Sequence, residues 1–192
     1  MGKVHAAIEG HIRQFIEAQR MFFVGSAPLD TDGHVNVSPK GGDSFRILGP
    51  SSVAYVDYTG SGVETIAHLR ENCRIVIMFC AFEGPPNIVR LHGRGEVVEP
   101  QDPDFEKLVE LFNADPGVRA VIRVDVDRVS SSCGYAVPQY RYDSQRRQLA
   151  AWADRKGDDG LKQYRVEKNA TSIDGLPALR WVESGDLRFD PH

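Results

Sequence analysis

The sequence predicts a small antiparallel β-barrel flanked by helices, on three observations. Short apolar or alternating runs recur at close spacing between residues 21 and 129, turn residues punctuate them, and no βαβ alternation appears that would build a doubly wound sheet. A chain of 192 residues can bury a core large enough to stand without disulfides or metal. Its 41% hydrophobic and 26% charged residues are those of an ordinary globular protein.

Between Val4 and Arg20 the apolar residues Val4, Ile8, Ile12, Phe15 and Ile16 recur at three- and four-residue steps, which predicts an amphipathic helix. Met21 to Ala27 is a short apolar run without helical period and reads as a buried strand. Asp30-Thr31-Asp32-Gly33 supplies a turn, so His34 to Ser38 is expected to return as the second arm of a hairpin. Phe45 to Leu48 and Ser52 to Tyr58 follow as strands around a Gly49-Pro50 break, then a short helix from Gly62 to Asn72. Arg74 to Phe82 is nearly all apolar, as a strand buried on both faces would be, and Ile88 to Val98 alternates past Gly93 and Gly95. Asp102 to Asn113 places Phe105, Leu108, Val109 and Phe112 on one helical face. Val118 to Val129 alternates again, with Val124, Val126 and Val129 inward and Arg123, Asp125 and Asp127 outward.

Six or seven strands therefore fall within residues 1–129, forming the barrel domain. Residues 130–192 are more polar and read as a helical and irregular appendage, with surface helices over Asp143 to Lys156 and Gly160 to Asn169.

A net charge of -4 and a pI near 5.9 argue against broad attraction to nucleic acid or anionic membrane. No apolar run approaches the roughly 20 residues that span a bilayer, and the amphipathic N-terminus is unlike a secretory signal, so a cytoplasmic protein is expected. Cys73, Cys80 and Cys133 have no Cys-x-x-Cys spacing, and His34, His68 and His92 have no metal spacing; structural roles are expected for them, with no metal site. Cys133 lacks a sequence-adjacent base or second cysteine that would mark a redox thiol. Asn169-Ala170-Thr171 matches the glycosylation pattern as a chance match at a helix end. The glycine-rich dinucleotide fingerprint, the P-loop, the zincin helix and the hydrolase elbow are all missing.

Two polar strand exits remain. Val37-Ser38-Pro39-Lys40-Gly41-Gly42 offers a hydroxyl and a cation, and Tyr58-Thr59-Gly60-Ser61-Gly62 offers hydroxyls and unhindered amides before a helix N-terminus. Together they suit a phosphate, and equally they read as ordinary turns with capping residues.

The order FFVGSA, HVNVSPKGG, VAYVDYTGSG, helix, RIVIMFCAF, IVRLHGRGEVV over Val4 to Val129 resembles the FMN-binding split β-barrel of pyridoxamine 5'-phosphate oxidase and its relatives. Ser130 to Pro138 resembles an oxidase-related sub-branch of the same flavoproteins. The resemblance implies a split barrel, an FMN cofactor, a homodimer with flavin between subunits, and a small-molecule substrate. It implies cofactor contacts from Val37, Ser38, Lys40, Tyr58, Thr59, Ser61, Thr65 and Arg90. Trp152, beyond the barrel, is a candidate to cover a flavin face or to pack the appendage. The authentic oxidase sets several arginines and a lysine against two phosphates, whereas this sequence shows Lys40 without such a group, so pyridoxamine phosphate is not the expected substrate. An FMN-dependent oxidoreductase is the leading expectation; a deazaflavin-dependent reductase and a non-enzymatic flavin- or haem-binding sensor barrel are the alternatives.

Overall fold

The computed structural model describes residues 2–183. The expected barrel is present as eight strands, β1 (Lys3–His5), β2 (Met21–Ser26), β3 (Asn36–Gly41), β4 (Phe45–Gly49), β5 (Ser52–Tyr58), β6 (Arg74–Cys80), β7 (Ile88–Val98) and β8 (Val118–Ser132). The helices are α1 (Gly10–Ala18), α2 (Glu64–Asn72), α3 (Phe105–Val109), α4 (Gln148–Lys168) and α5 (Arg180–Glu183). All pairings are antiparallel, in the order β3-β2-β6-β7-β8-β5-β4, with β1 joined to β8 off that path. β3 and β4 end the path without pairing to each other, so the barrel is split.

Strand β8 organises the sheet because its 15 residues serve three partners. It pairs with β7 along Val121–Ser132, with β5 along Val118–Asp125, and with β1 along Val129–Ser131. This last pairing corrects the N-terminal expectation. Val4 is exposed in a strand that satisfies the edge of β8 beyond the end of β5, and the helix begins only at Gly10. The helical period holds where the side chains reach the core, at Ile8, Ile12 and Ile16.

A bulge explains how Val124, Val126 and Val129 all turn inward although their spacing is not even. His92 pairs with Arg128 and Gly93 with Val126, leaving Asp127 unpaired and resetting the alternation by one residue. Gly93 permits this close approach: a Cβ there would lie 2.1 Å from the Asp125 carbonyl oxygen.

The main core joins Val24, Tyr55, Ile77, Leu91 and Ile122 of the sheet to Ile12 and Ile16 of α1 and Ile66 and Leu69 of α2. Burying such aliphatic side chains is worth about 1.5–3 kcal/mol each, so this pattern dominates the choice of fold. A second cluster packs Phe105, Leu108 and Phe112 on the opposite faces of β5 and β8, against Ala54, Val56 and Val121. β5 is thus covered on both sides. α3 is shorter than the helix expected over Asp102 to Asn113, because the chain tightens into three-residue turns at Leu111 and Phe112 while keeping its apolar face.

Past β8 the chain runs mostly exposed to residue 147, and the helix expected from Asp143 starts at Gln148. Its two arms meet at Gly157, whose φ of +63° and ψ of 176° break the helix where a side chain would be strained. The chain then returns to the barrel. Ala178 and Leu179 are fully buried in the main core, and buried Glu99 receives Arg70 and Arg180. Of the expected 130–192 appendage, residues 184–192 lie outside the described residues.

Candidate functional site: the β3 edge and the 59–62 loop

Register places the polar residues of β3. Ser38 is opposite Val24 and Lys40 opposite Phe22, both core residues, so Ser38 and Lys40 point inward. Val37 points the other way and is 65% exposed. β3 ends the sheet path: among the described residues no strand pairs with its other side, where Pro39 offers no N–H and the Gly41 carbonyl accepts from the Ser44 hydroxyl at 2.8 Å.

Two polar links tie this edge to the start of α2. The Asn36 side-chain amide donates to Thr65 Oγ1 at 2.9 Å. The Lys40 ammonium donates to Asp57 Oδ1 at 2.5 Å, and the Arg119 Nε donates to Asp57 Oδ2 at 2.8 Å. Arg119 then donates to the carbonyls of Gly60, at 3.3 Å, and Gly62, at 2.7 Å. The lysine of one strand exit and the glycine-rich loop of the other are therefore parts of one hydrogen-bonded network around Asp57.

Asp57 is 1% exposed at the inward end of β5. Burial would raise its carboxyl, but the charges of Arg119 and Lys40, with a hydrogen bond from each, outweigh that and hold it at about 2. Beside it the phenol of buried Tyr55 is pushed up, chiefly by burial and further by Asp57, with Arg119 opposing.

The appendage reaches the same loop. Arg165 of α4 donates from Nε to Thr59 Oγ1 at 2.8 Å and from Nη2 to the Val118 carbonyl at 3.1 Å. Asn169, fully buried just past α4, donates to the Gly60 carbonyl at 2.8 Å. That burial removes Asn169 from consideration as a glycosylation acceptor. Burial lowers the Arg165 guanidinium, the like charge of Arg119 lowers it further, and Asp158 opposes. Arg119 and Arg165 thus bond directly to residues 59–62, Lys40 is joined to them through Asp57 at the end of β5, and Glu64 stands in the first turn of α2.

A chain of this topology and these strand exits matches a known family: the model of the family described as pyridoxamine 5'-phosphate oxidase covers residues 8–133. The chain belongs to the pyridoxamine 5'-phosphate oxidase family. A relative from Aspergillus flavus, the pyridoxamine 5'-phosphate oxidase family protein ustO, is 40% identical over 192 residues, spanning 91% of this chain and 77% of that protein. Among solved structures, a HupZ variant from Group A Streptococcus matches with a TM-score of 0.53 at 21% identity, over 65% of this chain and 99% of its own. A putative pyridoxamine 5'-phosphate oxidase from Lactobacillus delbrueckii matches with a TM-score of 0.50 at 19% identity, over 64% of this chain and 93% of its own. These two structures show the fold alone.

Within this member of the pyridoxamine 5'-phosphate oxidase family the expected site residues divide into groups. Ser38, Lys40 and Thr65 share the network or its neighbourhood, and Ser61 lies exposed on the loop between Gly60 and Gly62. Thr59 is buried, donating to the Gly117 carbonyl and accepting from Arg165, so its hydroxyl is committed to holding the loop. The Tyr58 hydroxyl accepts from the Asp115 amide at 3.1 Å on the opposite face of β5. Arg90 lies on the outward face with Met78 and donates to Ser132 Oγ at 3.1 Å. Trp152 packs edge-on to Tyr164, 5.0 Å away, between the two arms of α4.

Two of the singled-out histidines have hydrogen-bond partners. His34 pairs with Asp174 at 2.6 Å, and buried His68 meets Ser26 Oγ at 3.0 Å, its basicity lowered chiefly by burial. Cys133 is exposed and all three cysteines are free. Among the described residues no group of three His, Cys, Asp or Glu could hold a metal, and no helix is long and apolar enough to cross a membrane.

Asn36, Asp57, Arg119, Arg165 and Asn169 were not legible as site residues. Asp57 alone left a signal, a carboxylate on the same strand face as Val53 and Tyr55. Arg165 and Asn169 left none, since they reach the loop across more than a hundred residues of chain.

Proposed function

We propose that the protein is an FMN-dependent oxidoreductase that seats the flavin along the β3 edge and its phosphate between Lys40, Ser61 and the start of α2. The observation that carries this reading is the Lys40–Asp57–Arg119 network, which fastens the β3 cation to the Gly60 and Gly62 carbonyls. With Arg119 and Arg165 bonded to the loop and Lys40 tied to it through Asp57, a dianion there gains charge that Asp57 and Glu64 do not fully offset. When bound, flavin supplies the redox chemistry. The chain's own work is to hold it. Lys40 and the loop amides bind the phosphate, Arg119 keeps the loop open toward it, and the edge of β3 orients the ring.

The active unit in this reading is a cytoplasmic homodimer. Val35 and Val37 are 74% and 65% exposed beside half-buried Phe23, Val76 and Met78, an apolar outward face that a second copy would cover. Arg90 and Trp152 would then meet the cofactor from the partner subunit's side.

The test is the absorption spectrum of the purified protein, followed by titration of the stripped protein with FMN and with a deazaflavin. A yellow protein that binds FMN one per chain and is reduced by a nicotinamide cofactor supports the reading. Lys40→Ala should weaken FMN roughly tenfold or more. Failure to take up FMN, or affinity unchanged in the variant, would overturn it; uptake without reduction would leave a flavin carrier.

A further inference from the structure

A concave site lies at the mouth of the barrel, between α1, β4 and the strap after β8, and its cavity measures about 580 Å³. That volume falls within the roughly 300–1,000 Å³ of small-molecule sites. Its floor is aromatic. Phe22, Phe45 and Phe79 meet at centroid separations of 5.2, 5.0 and 5.7 Å in tilted and edge-on pairs.

The rim is cationic, and its charges are unequally satisfied. Arg13 is paired with Glu17 at 2.8 Å, and Arg46 with Asp43 through two contacts of 2.5 and 2.7 Å. Arg20 has no carboxylate partner among the described residues; its guanidinium lies 5.4 Å from the Tyr142 ring. A cation on an aromatic plate still has all its N–H groups to offer to an anion.

The strap that closes the mouth is fastened. Tyr140 stacks on Phe82 at 5.5 Å and donates its amide to the Phe82 carbonyl, and the Tyr142 amide reaches Glu83. Those contacts bring Tyr142 and Gln145 over a floor contributed by strands β2, β4 and β6. Gln145 adds a side-chain amide to the rim close to Gly41 and Gly42.

We infer that this cavity binds a flat apolar monoanion, an aromatic carboxylate, with its ring against half-buried Phe45, which the core residues Phe22 and Phe79 back from behind, and its carboxylate on Arg20. Arg20 is the specificity determinant, because the other two rim arginines each already hold a carboxylate. The site is built from residues outside the Asp57 network, so it stands whether or not that network holds a flavin.

The experiment titrates the protein as purified with 2-naphthoate and with neutral 2-naphthylmethanol by calorimetry. One 2-naphthoate per chain should bind, and Arg20→Gln should weaken it about tenfold or more, as loss of a charge-assisted contact does, while leaving 2-naphthylmethanol within about twofold. Ile47→Trp, which fills the lining, should abolish both, and saturating FMN should change neither. No binding to the native protein, equal 2-naphthoate affinity in Arg20→Gln, or displacement by FMN would each overturn the inference. Should Ile47→Trp fail to fold, Arg20→Gln at its exposed position decides alone.

Discussion

The barrel and the segment that follows it are stabilised in different ways. The barrel is held by repeated apolar burial: Val24, Ile77, Leu91, Ile122 and Val124 are all fully buried, each on the same face as its cross-strand neighbours. The segment after Ser132 is exposed over most of residues 135–149, and it joins the barrel at a few fixed points. Those points are mainly polar and specific: Arg165 on Thr59, Asn169 on Gly60, Arg180 on Glu99, and Asp174 on His34. Apolar burial tolerates exchange of one similar side chain for another, whereas a buried hydrogen bond requires a particular atom at a particular place. The appendage therefore adds core at Ala178 and Leu179 and positional control at its polar points, two of which, Arg165 and Asn169, act on the loop that the proposed cofactor site uses.

The sharpest way to break this contrast is Asp57→Ala, which leaves Lys40 and Arg119 without their shared counter-ion. Urea unfolding should show a loss of about 3–5 kcal/mol, the cost of orphaning buried charge, and a loss under about 1 kcal/mol would mean that water or another group neutralises the pair. The same carboxylate predicts acid behaviour. Its folded value of about 2 lies below the ordinary 3.8, so its stabilisation is present above about pH 4 and is lost as pH falls toward 2. Asp57→Asn should flatten that part of the stability profile.

Truncations compare the two regions next. Ile77→Ala, at a fully buried barrel position, should cost about 2–5 kcal/mol, and Leu161→Ala, at 4% exposure in α4, should fall at the lower end of that range. Equal losses at the upper end would show that the appendage carries a core of its own. Asn169→Ala removes the donor to the Gly60 carbonyl and should cost about 1–3 kcal/mol. On the proposed reading it also weakens FMN, measured by titration under conditions where the variant is fully folded. The smallest effect is expected for Arg13→Gln, which breaks an exposed i,i+4 pair with Glu17 and should change stability by no more than about 0.5 kcal/mol.

Much of the barrel was legible because burial leaves a pattern. β5 and β7 match their expected spans, and the inward set of β8 was readable in its valines even though the bulge at Asp127 was not. The N-terminal strand was not readable, because Lys3–His5 pairs through its backbone with β8, and backbone pairing places no demand on side-chain type. Of the Asp57 network, Lys40 was visible as the cation of a polar strand exit. The network's hub was not, because Arg119, Arg165 and Asn169 look like surface residues until the chain is closed.

By itself, the sequence determined an antiparallel barrel with flanking helices, since alternating and helical apolar periods leave few ways to bury those faces. Only the tertiary structure decided which charged residues leave the surface to meet at Asp57, and that Arg20 and a triad of phenylalanines face one cavity. The physical reason is one of range. Hydrophobic periodicity is written into neighbouring residues, whereas an ion pair or a cavity joins residues that are distant in the chain, at distances that the closed fold alone sets.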